Sequence, residues 1–214
     1  MLRSGLVGVL SSPLWLQKPA DASTAAPAFP ASVPEGQVLM RTLEDSELAI
    51  GAYPTFLYNS SGGGGLGRAT TVGNRINIEF DPAEVMIPAV DYSTARFMGV
   101  PLMPPFRIAV QPTKLQGYVD RHTGIAELVF IAEFVLTAGP LYKAPALLVT
   151  THLTTETVKG DSLGGTGSRM DEQGCAKLVG VARLAPVDDV LLDRFLGLPT
   201  DCKAVMSSQF LFPS

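Results

Sequence analysis

The run Ile125-Ala-Glu-Leu-Val-Phe-Ile-Ala-Glu-Phe-Val-Leu-Thr137 constrains this chain more than any other segment. At a period of two, Leu128, Phe130, Ala132, Phe134 and Leu136 fall on one face, and Glu127, Val129, Ile131, Glu133, Val135 and Thr137 on the other. One face is wholly apolar and the other mixed. A strand of this kind belongs to a sheet whose inner side packs on a core or lines an apolar cavity and whose outer side is mostly wet.

The neighbouring segments repeat the signal. Phe106–Val110, Lys114–Val119, 125–137 and Ala146–Thr154 are separated by turn chemistry at Gln111-Pro112, Asp120-Arg-His-Thr-Gly124 and Ala138-Gly-Pro140. Connections this short predict antiparallel neighbours, because a parallel crossover takes a dozen residues or more. Thr55–Tyr58, Arg75–Phe80, Ala176–Leu184 and Val205–Phe212 read as further strands, and Val85–Ile87 as a short extended piece. Thr42–Leu48 is expected to form a helical turn, and Ser60–Gly67, Met98–Pro105 and Lys159–Gly174 to be loops. One helix is expected at 190–196, capped by Asp188 or Asp189 and ended by Gly197 and Pro199. The fold expected is mainly β: an antiparallel barrel or strongly curved sheet of about seven to nine strands with one C-terminal helix.

Residues 41–214 are expected to form this single domain, which 214 residues in all can supply with a substantial core. Residues 1–40 read as a disordered extension. They open with the basic Met1-Leu-Arg3, carry a broken apolar stretch, and contain Ala20-Asp-Ala22, which has the small-x-small form of a processing site. The following Ala-, Ser-, Thr- and Pro-rich residues up to Pro34 carry too little apolar surface to fold alone. No apolar run reaches the ~20 residues of a membrane-spanning helix. A net charge of −4, with 16 Lys and Arg spread thinly, argues against a nucleic-acid partner.

Specific chemistry is sparse. Gly62, Gly64 and Gly67 satisfy Gly-x-Gly-x-x-Gly, but β-branched residues and a strand follow where a phosphate-binding helix is required. Arg68-Ala69 also stands where a Walker loop needs Lys-Ser/Thr, so the tract is expected to be a flexible loop tip. His122 belongs to a turn, and His152 shares the polar side of its strand with Thr150 and Thr154. No Gly-x-Ser-x-Gly elbow accompanies them. Glu127 and Glu133 stand about 20 Å apart on one strand face, beyond the reach of a two-carboxylate glycosidase. Glu133, between Ile131 and Val135, is placed to meet Arg107, Arg183 or a ligand head group. Cys175 and Cys202 are either two buried thiols or one disulfide, worth roughly 3 kcal/mol in an oxidising compartment. No metal-ligand spacing occurs, and no cofactor is implied.

At Tyr53-Pro54, Gly62–Gly65, Pro101–Phe106, Leu153–Glu156, Leu178–Ala182 and Leu196–Asp201 the chain resembles a group of uncharacterised β-rich chloroplast and cyanobacterial proteins, over most of Tyr53 to Phe212. The resemblance implies a plastid setting, thylakoid-associated or lumenal, and brings no functional residue with it.

The function expected is therefore a non-catalytic plastid protein that binds a lipid or pigment or assists assembly of a photosynthetic complex. Phe106, Ile108, Leu128, Phe130, Phe134 and Leu136 would line the cavity, with Glu133 near the head group. Two alternatives predict different geometry. A small enzyme acting on an apolar substrate requires Glu133 or His152 inside a pocket. A structural subunit of a membrane-associated complex requires an exposed apolar patch instead.

Overall fold

The computed structural model describes residues 29–213. The basic start, the apolar stretch and the Ala20-Asp-Ala22 motif lie outside the described residues. In chain order the elements are β1 (Gln37–Thr42), β2 (Ser46–Ile50), β3 (Phe56–Tyr58), β4 (Gly64–Val72), β5 (Arg75–Phe80), β6 (Ala95–Phe97) and β7 (Val100–Pro101). They continue with β8 (Phe106–Asp120), β9 (Ile125–Ala138), β10 (Tyr142–Lys143), β11 (Leu147–Thr154), β12 (Thr157–Lys159), β13 (Gly164–Thr166), β14 (Cys175–Leu184), α1 (Val190–Leu196) and β15 (Thr200–Leu211).

Eight of these strands close a ring in the order β1-β4-β5-β8-β9-β11-β14-β15, and β15 pairs back onto β1 from Leu39↔Leu211 to Thr42↔Ser208. The pairings are antiparallel, as the short connections require. Closure satisfies the backbone groups that a free edge would leave open. β1 begins at Gln37, so the sheet takes in residues expected to belong to the extension.

Three local differences from the sequence reading have identifiable causes. Gln111-Pro112 does not turn the chain. β8 runs through it as one strand, with a bulge between Pro112 and Lys114, where a residue without an N–H is tolerated. The glycine tract is not a loop tip, because Gly64, Gly65 and Gly67 lie in β4 against β1. A Cβ on Gly64, whose φ is +120°, would sit 1.9 Å from the Met40 carbonyl oxygen, so glycine is needed for this close strand approach. Thr42–Leu48 forms no helical turn, because its residues continue along β15 into β2.

That continuation is irregular, and the irregularity opens one end of the ring. From Thr42 to Glu47 the chain takes five steps while β15 takes three, from Ser208 to Val205. The extra residues are held by a buried hydroxyl cluster. Thr42 Oγ1 donates to the Ser60 carbonyl at 2.5 Å, Ser60 Oγ to the Leu43 carbonyl at 2.6 Å, and Ser207 Oγ to the Asp45 carbonyl at 2.7 Å. Beyond this point β2 leads away through β3, β6 and β7, while β1 leads to β4 around the ring.

The two ends therefore differ. The end holding β1, the start of β9 and the last residues of β15 is solid, filled by Val38, Ile78, Leu128, Leu178 and Phe210 among others. The opposite end splays and is covered by α1. Asp189 caps this helix by accepting from Leu192 N at 2.9 Å, and Gly197, with φ of 68°, ends it, as its sequence predicts. Leu192 and Leu196 turn inward toward the ring. Within the expected 159–174 loop, β13 pairs with β12, and the hairpin lies over the outer face of β14 and β15.

Candidate functional site: an apolar cavity at the open end of the ring

The inner faces of the wall and α1 line an apolar cavity of about 900 Å³ that opens to solvent. Its position follows from side-chain size. β9 contributes the large Phe130, Phe134 and Leu136, whereas the facing inner positions of β14 and β15 carry Gly180, Ala182, Cys202 and Ala204. Large residues on one wall and a run of small ones on the other leave a volume here, whereas at the solid end side chains such as Val38, Leu128, Leu178 and Phe210 meet and fill the interior.

The structure places Phe106, Ile108, Phe130, Phe134 and Leu136 on the cavity wall. Leu128 is not there. It shares their face but lies at the solid end, 1 % exposed, in the filled core. Glu133 is not there either. It lies on the outer face between Gln111 and Leu148. The two cations proposed for it are engaged elsewhere, Arg107 with Asp91 at 2.7 Å and Arg183 with Asp161 and Asp201 at 3.1 and 3.3 Å. His152 is exposed on the same outer face, four residues along β11 from the position opposite Glu133, or about 13 Å. The two groups do not meet in a pocket, so the arrangement required of an enzyme acting through them is absent. His122 sits in the β8–β9 turn, where the Asp120 carboxylate accepts from its backbone N–H at 2.9 Å.

The hydroxyls on the wall donate within the protein. Tyr58 donates its hydroxyl to the Pro88 carbonyl, and burial raises its pKa. Thr151 Oγ1 donates to the Val181 carbonyl at 3.1 Å. Thr42 and Ser60 belong to the hydroxyl cluster of the strand junction. At the mouth Tyr53 donates to the Phe195 carbonyl at 2.5 Å. These side-chain hydroxyls have donated their protons within the protein and keep only acceptor capacity toward the cavity, and Lys203 is the one charged residue along the lining.

Cys202 faces the cavity near Ala182 and Leu184, and burial pushes its thiol up to about 11. It is not bonded to Cys175, which is also free. Cys202 lies opposite Ala182, seven residues along β14 from Cys175. That is about 23 Å, against the ~7 Å limit for Cα atoms of a disulfide. The disulfide alternative is thereby excluded.

Asp201, beside Cys202, points the other way and docks the hairpin. Its carboxylate accepts from Ser162 N at 2.6 Å, from Leu163 N at 3.2 Å and from Arg183 at 3.3 Å. These bonds, led by the one from Ser162 N, outweigh burial and lower its pKa to about 2.

Sequence reasoning missed the β14–β15 wall and the caps from Tyr58, Phe97, Leu102 and Phe195. One signal was available: Gly180, Ala182 and Ala204 are small residues at inward positions of strands otherwise rich in large ones. Among the described residues no group of three His, Cys, Asp or Glu could hold a metal ion, and no helix is long and apolar enough to cross a membrane.

The fold and cavity define a closed eight-stranded antiparallel ring with one apolar, helix-covered chamber. The chain matches no protein-family model, no curated protein and no solved structure. A functional reading therefore rests on the chamber's own chemistry.

Proposed function

We propose that this protein binds a hydrophobic small molecule, a lipid or pigment, in the chamber, as a non-catalytic carrier or assembly factor in a plastid. The observation that carries the reading is a cavity of about 900 Å³ whose hydroxyls are all bonded within the protein. That volume lies in the range of ~300–1,000 Å³ usual for small-molecule sites. Water is a poor filler, because an ordered molecule needs two to four polar partners. Hydrocarbon is the occupant that the wall favours, with any polar head left at the mouth.

The test is titration of lipid-stripped protein with a polyene fatty acid whose emission rises in apolar surroundings. Saturable one-to-one enhancement is expected, and Ala204→Phe, which projects a phenyl ring into the chamber, should lower the affinity at least tenfold with circular dichroism unchanged. Absence of enhancement in folded, stripped protein would overturn the reading.

A further inference from the structure

The side chains of the chamber wall offer hydrogen-bond acceptors but no strong donor and no charge, and this narrows what the chamber can hold. The hydroxyls of Thr42, Tyr58, Ser60 and Thr151, and of Tyr53 at the mouth, give their protons to the carbonyls of Ser60, Pro88, Leu43, Val181 and Phe195. Each keeps only lone pairs for a ligand. Cys202 is a weak donor, and burial, which pushes its thiol up to about 11, keeps it uncharged at neutral pH. Among the described residues the lining holds no Asn, Gln, His, Trp or Arg that could donate instead.

Lys203 is the one charged residue along the lining, and its ammonium is carried away from the chamber. On β15 it stands between Cys202 and Ala204, whose side chains face inward, so its own faces outward. There its stem runs beneath the β12–β13 hairpin. A Cβ built on Gly165 of that hairpin would lie 3.4 Å from Lys203 Cδ and 3.0 Å from Cγ2 of Val179, a fully buried residue on the outer face of β14.

The mouth supplies no cationic clamp either. At this end Asp188, Asp189 and Asp193 offset Arg96, Lys143 and Arg194, and Arg107 is paired with Asp91 at 2.7 Å. An anionic head group therefore finds no net positive field at the entrance and no counter-charge inside.

We propose that the chamber selects uncharged amphiphiles, of the chemical class of long-chain alcohols, over their carboxylate or phosphate counterparts. The proposal rests on the ligand-binding reading above and adds selection by charge. A carboxylate brought inside would lose its hydration and meet only lone pairs, which repel it, whereas an alcohol donates its proton to one of them. A fatty acid enters only as far as its head can stay in water at the mouth, and so buries less of its chain.

The experiment titrates the lipid-stripped full chain at pH 8 with the polyene fatty acid, ionised at that pH, and with the same polyene reduced to its primary alcohol. Each affinity is referred to the same probe's partition into phosphatidylcholine vesicles, which removes the greater hydrophobicity of the alcohol. The alcohol should then bind at least tenfold more tightly, or ~1.4 kcal/mol. Phe134→Lys, which brings an ammonium to the chamber wall, should reverse the order. Leu136→Lys, the next inward position of β9 and opposite Ile108, should do the same where the first variant loses its circular dichroism. Equal affinities in wild type, or a tighter acid, would overturn the selectivity and leave the chamber reading standing. A preference for the alcohol that survives in the folded lysine variants would also overturn it, because the preference would not come from the uncharged wall. If neither probe binds the folded protein, the chamber reading falls and the selectivity falls with it.

Discussion

Two inward alanines of the same ring report whether the chamber is hollow. Ala126 on β9 is fully buried in the solid end, and Ala204 on β15 faces the chamber with only Gly180 opposite it on β14. Leucine at either position adds three carbons. At Ala126 they have nowhere to go, and overpacking should cost about 1–3 kcal/mol. At Ala204 they enter free volume. At ~0.8 kcal/mol per buried CH₂ the gain is at most about 2.4 kcal/mol, reduced by ~0.5–1 kcal/mol of side-chain entropy. Ala204→Leu should therefore be neutral to stabilising by about 1.5 kcal/mol in lipid-stripped protein. Urea unfolding followed by circular dichroism measures both variants against wild type. Equal destabilisation at the two positions would refute the hollow-end reasoning, because it would mean that the ring is filled throughout.

Gly64→Ala should cost several kcal/mol, since its Cβ would overlap the Met40 carbonyl in a left-handed conformation, and a large fall in thermal midpoint is expected. The depressed pKa of Asp201 makes a contribution to stability that is complete above its unfolded value of 3.8 and is lost as pH falls toward about 2. Acid unfolding curves of wild type and Asp201→Asn should differ in slope across that window, and parallel curves would contradict the assignment. Cys202, with its thiol pushed up to about 11, should alkylate slowly at pH 8 in a Cys175→Ser background and more slowly still with the chamber occupied. Rapid labelling indifferent to ligand would place the thiol outside.

Much of the wall was legible because alternation at a period of two is a local property. The 125–137 run, the Asp120–Gly124 turn and the capped helix at 190–196 each carry their signal in adjacent residues. Ring closure was not legible. β1 follows a Pro- and Ala-rich tract, and its partner β4 opens with glycines whose usual meaning is a loop. Their meaning here, a close approach of two backbones, depends on a strand distant in sequence. The chamber was half legible for the same reason. Periodicity puts Leu128 and Phe134 on one face, but it does not say what stands across from them. Leu128 lies among Val38, Leu178 and Phe210, and Phe134 looks toward Ala182 and Ala204. Glu133 drew attention as a carboxylate between apolar neighbours, yet those neighbours, Ile131 and Val135, share its outer face rather than enclosing it.

The most direct measurement is native mass spectrometry of the full chain purified from a photosynthetic host, with organic extraction of the same sample. The account predicts a one-to-one complex with a lipid or pigment, released on extraction and absent from Ala204→Phe. A bare protein from that host, with nothing in the extract, would contradict it.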